Sequence, residues 1–122
     1  MTDALAYRQP ANRPLPTRLT NQVVAIIAKN INEITIFLLR DADGKLSLPR
    51  GDMQRDECED DAIARLVKEQ AHVTPDSPNP VGIFQSSECS IFAFEIISYR
   101  GTPMQGKNRE QLFFSIPEIQ RL

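Results

Sequence analysis

Residues 51–73, GDMQRDECEDDAIARLVKEQAHV, are the stretch of sequence that decides the fold. Its second half predicts an amphipathic helix over residues 60–71, because Ile63, Val67 and Ala71 recur at four-residue spacing and would face a core. Acidic residues stand at the start of that helix, where the helix dipole favours negative charge. The stretch therefore predicts a buried helix that follows a charged, irregular segment.

The segments on either side of this helix predict a sheet. Six of them predict strands, namely residues 23–28, 34–39, 46–48, 81–85, 91–99 and 111–115. Five are rich in β-branched or aromatic residues, and residues 46–48 are a short segment ended by Pro49. Polar or proline-rich segments predict loops, namely residues 50–59, 74–80 and 101–108. Pro117 would sit in the first turn of a last, short helix. The order β-β-β-loop-α-β-β-β predicts a mixed sheet with at least one helix on it, an α+β or three-layer arrangement.

Length and composition favour one globular domain. The chain has 122 residues, of which 41% are hydrophobic and 25% charged. Residues 1–20 contain three prolines, and we expect them to form an extended arm ahead of a domain at residues 21–122. The net charge of -2 argues against a nucleic-acid partner held by bulk positive charge. A small anionic ligand in a local site remains compatible with it.

The cysteines and the hydropathy pattern bear on the compartment. Cys58 and Cys89 fit no zinc-binding spacing, and we expect both to be free thiols in a reducing environment. The N-terminus has no apolar core of signal-peptide length, and no apolar run approaches the ~20 residues of a membrane span. We therefore expect a soluble cytoplasmic protein without a membrane partner.

Residues 51–73 resemble the Nudix box, whose pattern is Gly, five residues, Glu, seven residues, and then Arg-Glu-apolar-any-Glu-Glu-any-Gly-apolar. The positions that match it in register are Gly51, Glu57, Arg65, Val67, Glu69 and Val73. The positions that depart from it are Leu66, Gln70 and His72. The resemblance implies the Nudix fold, an α/β/α sandwich of the α+β class whose elements follow the order predicted above.

The resemblance also implies a metal-dependent chemistry. Nudix enzymes hydrolyse a nucleoside diphosphate linked to another moiety, and carboxylates on one helix face hold the divalent cations. Magnesium requires hard oxygen ligands, and it neutralises phosphate charge. The carboxylate positions here are Leu66, Glu69 and Gln70, which we expect to share one helix face. Because only Glu69 keeps its charge, we expect Mg²⁺ or Mn²⁺ to bind weakly and catalysis to be weak or lost.

The Nudix resemblance implies metal-binding and catalytic roles for individual residues of this chain. Glu57, Glu69 and Gln70 would hold the metal, together with Glu110, which precedes the last predicted strand as a further glutamate does in several Nudix proteins. Arg65 would brace Glu57. For Arg65 the alternative is an exposed ion pair with an acid one turn away, which contributes only about 0.3–0.5 kcal/mol. For the glutamates the alternative is a solvated surface position.

Arg50 and Gly51 are the candidate ligand-binding residues. Residues 48–51, LPRG, resemble the Leu-Pro-Lys-Gly variant found in relatives that act on dinucleoside polyphosphates and inositol pyrophosphates. A guanidinium at position 50 would suit contact with a phosphate group.

Two hypotheses about function follow from the altered box. The first is a divergent Nudix hydrolase with weak activity, in which Glu57, Arg65 and Glu69 are the catalytic residues. The second is a non-catalytic module that binds a nucleotide-type small molecule or a protein partner. The predicted final helix is short, which would leave an apolar face of the sheet open, so we also expect a homodimer that buries this face.

Overall fold

The computed structural model describes residues 20–106 and 112–121. Most of the predicted N-terminal arm and the candidate metal ligand Glu110 lie outside the described residues, so both remain predictions. The described elements, in chain order, are β1 (Thr20–Asn30), β2 (Ile34–Phe37), β3 (Leu39–Arg40), β4 (Leu46–Ser47), β5 (Arg50–Asp52), α1 (Glu59–Ala71), β6 (Thr74–Asp76), β7 (Asn79–Gln85), β8 (Cys89–Ile96), β9 (Ser98–Arg100), β10 (Phe113–Ser115) and α2 (Ile116–Gln120).

Strand β1 organises the mixed sheet. Within the described part of the chain, six strands form one sheet with the order β10-β2-β1-β8-β7, and β5 pairs with β1 off this path. One side of β1 pairs in parallel with β8 along residues 20–27. The other side pairs antiparallel with β5 at residues 22–24 and then with β2 at residues 28–30. The predicted mixed sheet is therefore confirmed, and its long central strand β1 holds β5 beside helix α1.

Helix α1 covers one face of this sheet. It begins one residue earlier than predicted and ends at Ala71 as predicted. Alternate residues of the central strands face it and are buried, because successive side chains of a strand point to opposite faces. The buried side chains between helix and sheet include Val23, Ala25 and Ile27 of β1, Phe94 and Ile96 of β8, and Ile63, Leu66, Val67 and Ala71 of α1.

Two predicted loops contain strands. Residues 50–59 begin with β5, and residues 74–80 include β6 and the start of β7. Strand β5 is held by pairing with β1, and β6 by pairing with β9. Both pairings join segments distant in sequence, and local propensity carries no signal for them. The predicted strand at residues 91–99 is likewise divided into β8 and β9, with Ile97 between them.

The short final helix is confirmed as α2. Ser115 and Glu118 form a capping box at its start, in which the Glu118 N–H donates to Ser115 Oγ (3.3 Å) and the Ser115 N–H donates to Glu118 Oε1 (2.8 Å). No described helix is both long and apolar enough to cross a membrane. The two cysteines are free thiols, with Cys58 exposed and Cys89 partly buried.

His72 ends α1 in the left-handed conformation, with φ 62° and ψ 30°. Its N–H donates to the Lys68 carbonyl at 3.2 Å. Glycine adopts this conformation freely, whereas a side chain with a Cβ atom costs about 1–2 kcal/mol there. The departure from the Nudix pattern at this position therefore carries a cost in stability.

We expect His72→Gly to raise the free energy of unfolding by about 0.5–1 kcal/mol, after allowance for the greater freedom of glycine in the unfolded chain. Urea denaturation followed by circular dichroism measures the change. His72→Ala is the control, because alanine keeps the Cβ atom and should give no gain. Equal stability of the glycine and alanine variants would show that the backbone at this position carries no strain.

Candidate functional site

Arg65 lies at the centre of the charged side of the box. Its Nε donates to Glu57 Oε2 at 2.8 Å and its Nη2 donates to Glu57 Oε1 at 3.0 Å. This is a two-point contact between a guanidinium fork and a carboxylate, the geometry in which an arginine pair is strongest. It joins helix α1 to the loop before it. The structure thus places Arg65 where the predicted bracing contact requires it.

The carboxylate of Glu57 is enclosed by donors. Besides Arg65, the backbone N–H of Gln54 donates to Glu57 Oε1 at 2.9 Å, and the side chain is 12% exposed. The hydrogen bond from Arg65, followed by that from the Gln54 backbone, holds the pKa of Glu57 below its ordinary value. The bond to Glu57 likewise raises the pKa of Arg65. Both groups are charged at neutral pH, and each neutralises the other.

Arg65 also contacts the other carboxylate of the predicted site and strand β5. Its Nη1 donates to Glu69 Oε1 at 3.1 Å, and its Nη2 donates to the Asp52 carbonyl at 3.1 Å. The Glu69 side chain is 59% exposed. The bracing role and the i,i+4 surface pair, which the sequence posed as alternatives, therefore occur together. Of these two glutamates, Glu69 is the one that remains open to a solute.

Leu66 does not lie on an open face with Glu69. It is 2% exposed, and a Cβ atom built on Gly51 would stand 2.8 Å from its Cδ1. Leu66 and Gln70 lie on one face of α1, since both come within 4 Å of a Cβ atom built on Gly51, but at position 66 that face is buried against β5. Helix α1 approaches β5 so closely that Leu66 packs on the bare Cα of Gly51. Gly51 is thus a packing position in this structure.

The side-chain amide of Gln70 binds the backbone of β5. Its Nε2 donates to the Arg50 carbonyl at 3.2 Å, and its Oε1 accepts from the Arg50 N–H at 3.3 Å. The carbonyl oxygen that was predicted to hold a metal is thus in use within the protein. Its role as a metal ligand stays a prediction, and a cation there would share this neutral oxygen with the Arg50 N–H.

The Arg50 side chain points away from α1. Gly51 faces the helix, so its neighbours on β5 face the other side of the strand. There, Arg50 Nε donates to Gln22 Oε1 at 2.7 Å, and Gln22 Nε2 donates to Asp52 Oδ1 at 2.9 Å. Nothing in the sequence pattern singles out Gln22 and Asp52, because only the pairing of β1 with β5 brings them together. The guanidinium of Arg50 is therefore separate from the cluster of Glu57, Arg65 and Glu69.

These residues do not fit the divalent centre that the Nudix resemblance implies. No group of three or more His, Cys, Asp or Glu side chains in the described ranges is arranged to hold a metal ion. Glu57 is neutralised by Arg65, and Gln70 is committed to Arg50. That leaves Glu69, itself paired with Arg65, as the charged donor for a cation that needs several hard oxygen ligands.

An apolar groove of about 390 Å³ lies between the start of α1 and the strands β7 and β8. The side chains that line it are mainly apolar, with two acids at the rim, namely Glu59, Asp60, Pro80, Val81, Ile83, Phe92 and Phe94. Its volume falls within the range of small-molecule sites. Phe92 and Phe94 thus form a pocket wall, one of the roles considered for the strand phenylalanines. Phe84, in contrast, is 61% exposed.

Solved structures share this fold, although no protein-family model and no curated protein matches the sequence. The chain is similar to MutT as described from Aliivibrio salmonicida and Vibrio cholerae, with 18% identity, a TM-score of 0.75, and coverage of 85% of this chain and 86% of that one. For MutT from Bacillus halodurans the identity is 21%, the TM-score 0.69, and the coverage 85% and 73%. For the NUDIX domain of NrtR from Shewanella oneidensis, complexed with ADP-ribose, the values are 15%, 0.70, and 100% and 88%.

The chain therefore has the Nudix fold, as the resemblance of residues 51–73 predicted. The β-strand and helix order, the mixed sheet and the short final helix agree with this class. At this level of identity the likeness establishes architecture. The chemistry depends on the side chains of this chain.

We expect Glu57→Gln to lower the free energy of unfolding at neutral pH. We also expect the stability of the variant to change less than that of the wild type as the pH falls. The lowered pKa of Glu57 means that its charged form stabilises the folded state. That contribution is present above the unfolded value of about 4.3 and is lost as the pH falls through the lower folded value. The urea midpoint of the wild type should therefore exceed that of the variant at pH 7, and the two midpoints should converge in acid. Glu69→Gln is the control, with a small effect at pH 7, and a Glu57→Gln deficit that persists unchanged in acid would contradict the assignment.

Proposed function

We propose that this chain is a non-catalytic Nudix-fold module that binds a nucleotide-type ligand. The observation that carries the proposal is the conversion of the carboxylate face into a packing face. Leu66 is buried against Gly51, and Gln70 is bonded to the backbone of Arg50. A site that must hold a dication beside a diphosphate cannot spare these charges, since each close charge pair contributes a few kcal/mol at an effective dielectric of ~20.

A nucleotide-type ligand is supported by the fold and by the surface of this chain. The similar NUDIX domain of NrtR is complexed with ADP-ribose. Arg50 presents an exposed guanidinium suited to a phosphate group, and the groove beside Phe92 offers an apolar site of adequate volume. We propose Arg50 as the phosphate contact, adjoining Gly51, and the groove is the competing location.

The alternative is a weak hydrolase that uses Mg²⁺ or Mn²⁺. It is favoured by one observation, the retention of Glu69 as an exposed acid beside Glu57 and Arg65. In that case the cation would supply Lewis-acid chemistry, with Glu69 as the available charged ligand and Glu110 as a further candidate. Catalytic roles for Glu57, Arg65 and Glu69 belong to this alternative.

A thermal-shift and turnover experiment separates the two functions. ADP-ribose and a panel of nucleoside diphosphate derivatives are added with and without magnesium or manganese, and phosphate or nucleotide release is followed in the same samples. A ligand at about ten times its Kd should stabilise the fold by about 1.4 kcal/mol, a shift of several degrees in Tm. We expect such a shift without metal and without turnover.

Two variants locate the ligand, and a third tests catalysis. Arg50→Gln should abolish the thermal shift if Arg50 contacts the phosphate, whereas Val81→Asp should abolish it if the groove is the site. Metal-dependent turnover that Glu69→Gln removes would overturn the non-catalytic proposal. If no nucleotide gives a thermal shift, nucleotide binding is excluded, and the result favours a module that binds a protein partner.

We also propose that the chain is a homodimer in the cytoplasm. Strand β7 lies at one end of the described sheet, and on the face away from α1 its Phe84 side chain is 61% exposed and pairs with the apolar Ile91 of β8. Exposed apolar residues that adjoin one another mark an association surface. The two free thiols support a reducing compartment.

Light scattering at micromolar concentration tests the dimer. The wild type should show twice the mass of one chain, and Phe84→Ser should shift the protein toward the monomer because it removes exposed apolar area from β7. Lys68→Ala, an exposed change on α1, is the control and should leave the mass unchanged. A monomeric wild type would exclude the dimer.

A further inference from the structure

Strand β5 has an outer edge that does not face β1. The Ala25 N–H donates to the Pro49 carbonyl at 2.9 Å, and the Met53 N–H donates to the Asn21 carbonyl at 2.8 Å. In an antiparallel pair these bonds recur at every second residue, so the polar backbone groups of Arg50 and of Asp52 point away from β1. Edge groups of this kind require partners other than the sheet.

Side chains of α1 supply those partners. Gln70 accepts from the Arg50 N–H and donates to the Arg50 carbonyl, as a neighbouring strand would. Arg65 Nη2 donates to the Asp52 carbonyl. Beneath these bonds Leu66 packs on Gly51. Two polar residues of one helix thus make three hydrogen bonds to the outer edge of β5.

We propose that Gln70 is a positioning residue that seals the edge of β5, so that this end of the domain is assembled without a divalent cation. The neutral amide is essential to this role, because it is a donor at one end and an acceptor at the other. A carboxylate in its place could accept from the Arg50 N–H, but it could not donate to the Arg50 carbonyl. Where the Nudix pattern has a glutamate, Gln70 therefore lacks the negative charge but makes a hydrogen bond to the Arg50 carbonyl that a carboxylate could not donate.

This role depends on the geometry of β5 and is independent of whether a nucleotide binds. It also means that magnesium should not be needed to hold the edge of β5, in contrast to a site built on carboxylates. At position 70 a cation meets a neutral amide oxygen that already accepts from the Arg50 N–H, in place of a carboxylate. The backbone of Arg50, the residue proposed to contact phosphate, is then held in the free protein.

Amide hydrogen exchange of the Arg50 N–H, followed by NMR and expressed as a protection factor, tests the proposal without any ligand. The wild type should show the same protection in EDTA and in magnesium. At pH 7 Gln70→Glu replaces the bond to the Arg50 carbonyl with repulsion between a carboxylate oxygen and that carbonyl, which should open the edge and lower the protection of the Arg50 N–H about tenfold, the effect of one lost hydrogen bond. Near pH 4 the introduced carboxyl is protonated and can again donate, so protection should return to the wild-type value at that pH.

The sign of this pH dependence distinguishes the sealing of the β5 edge by residue 70 from a general structural role. The neutral form of the introduced carboxyl is favoured in the folded state, so its stabilising contribution is present in acid and is lost as the pH rises. Lys68→Gln is the matched control, because it changes the charge of α1 by the same amount on the exposed face and should leave Arg50 protected at both pH values.

A second variant keeps the test valid if Gln70→Glu does not fold at pH 7. Gln70→Met retains the length of the side chain and removes both hydrogen bonds, so Arg50 should lose about tenfold in protection at either pH. The proposal is overturned if Gln70→Met protects Arg50 as well as the wild type does. It is also overturned if magnesium raises the protection of Arg50 in the wild type.

Discussion

The close packing of helix α1 on strand β5 is the contact on which the rest of the site depends. The helix approaches the strand so closely that a Cβ atom on Gly51 would overlap Leu66. This approach fixes the two ends of the loop between β5 and α1, because each end belongs to one of the packed elements. The loop residue Glu57 is then brought to Arg65, and the helix residue Gln70 is brought to Arg50. The packing of α1 on β5 therefore sets the positions from which these polar side chains make their contacts.

The electrostatics of the site are organised around a single cation. Arg65 contacts the loop acid Glu57, the helix acid Glu69 and the carbonyl of Asp52. A guanidinium can make these contacts together because it presents five donors in a fixed plane. The arrangement neutralises the negative charge of the box from within the protein. A second cation would have to compete with Arg65 for the same carboxylates.

The sequence predicted the parts of this fold that local patterns encode. The spacing of Ile63, Val67 and Ala71 located α1 to within one residue, and the match of residues 51–73 to the Nudix pattern identified the fold. It did not predict β5, because that strand exists through its pairing with β1. Nor did it predict the burial of Leu66, since helical spacing places residues 66 and 70 on one face but does not say what that face contacts. Burial of residue 66 depends on how near β5 lies, which is a tertiary distance.

The departures from the Nudix pattern are linked to one another by this packing. A glutamate at position 66 would bring a carboxylate into a position that is 2% exposed, against the backbone of Gly51, and burial of an unpaired charge is strongly unfavourable. A glutamate at position 70 would lose the donor to the Arg50 carbonyl. Either reversal would disturb the helix–strand contact before it created a metal site. In this chain the altered residues are themselves part of the helix–strand contact, and this coupling is the physical basis of the binding role proposed above.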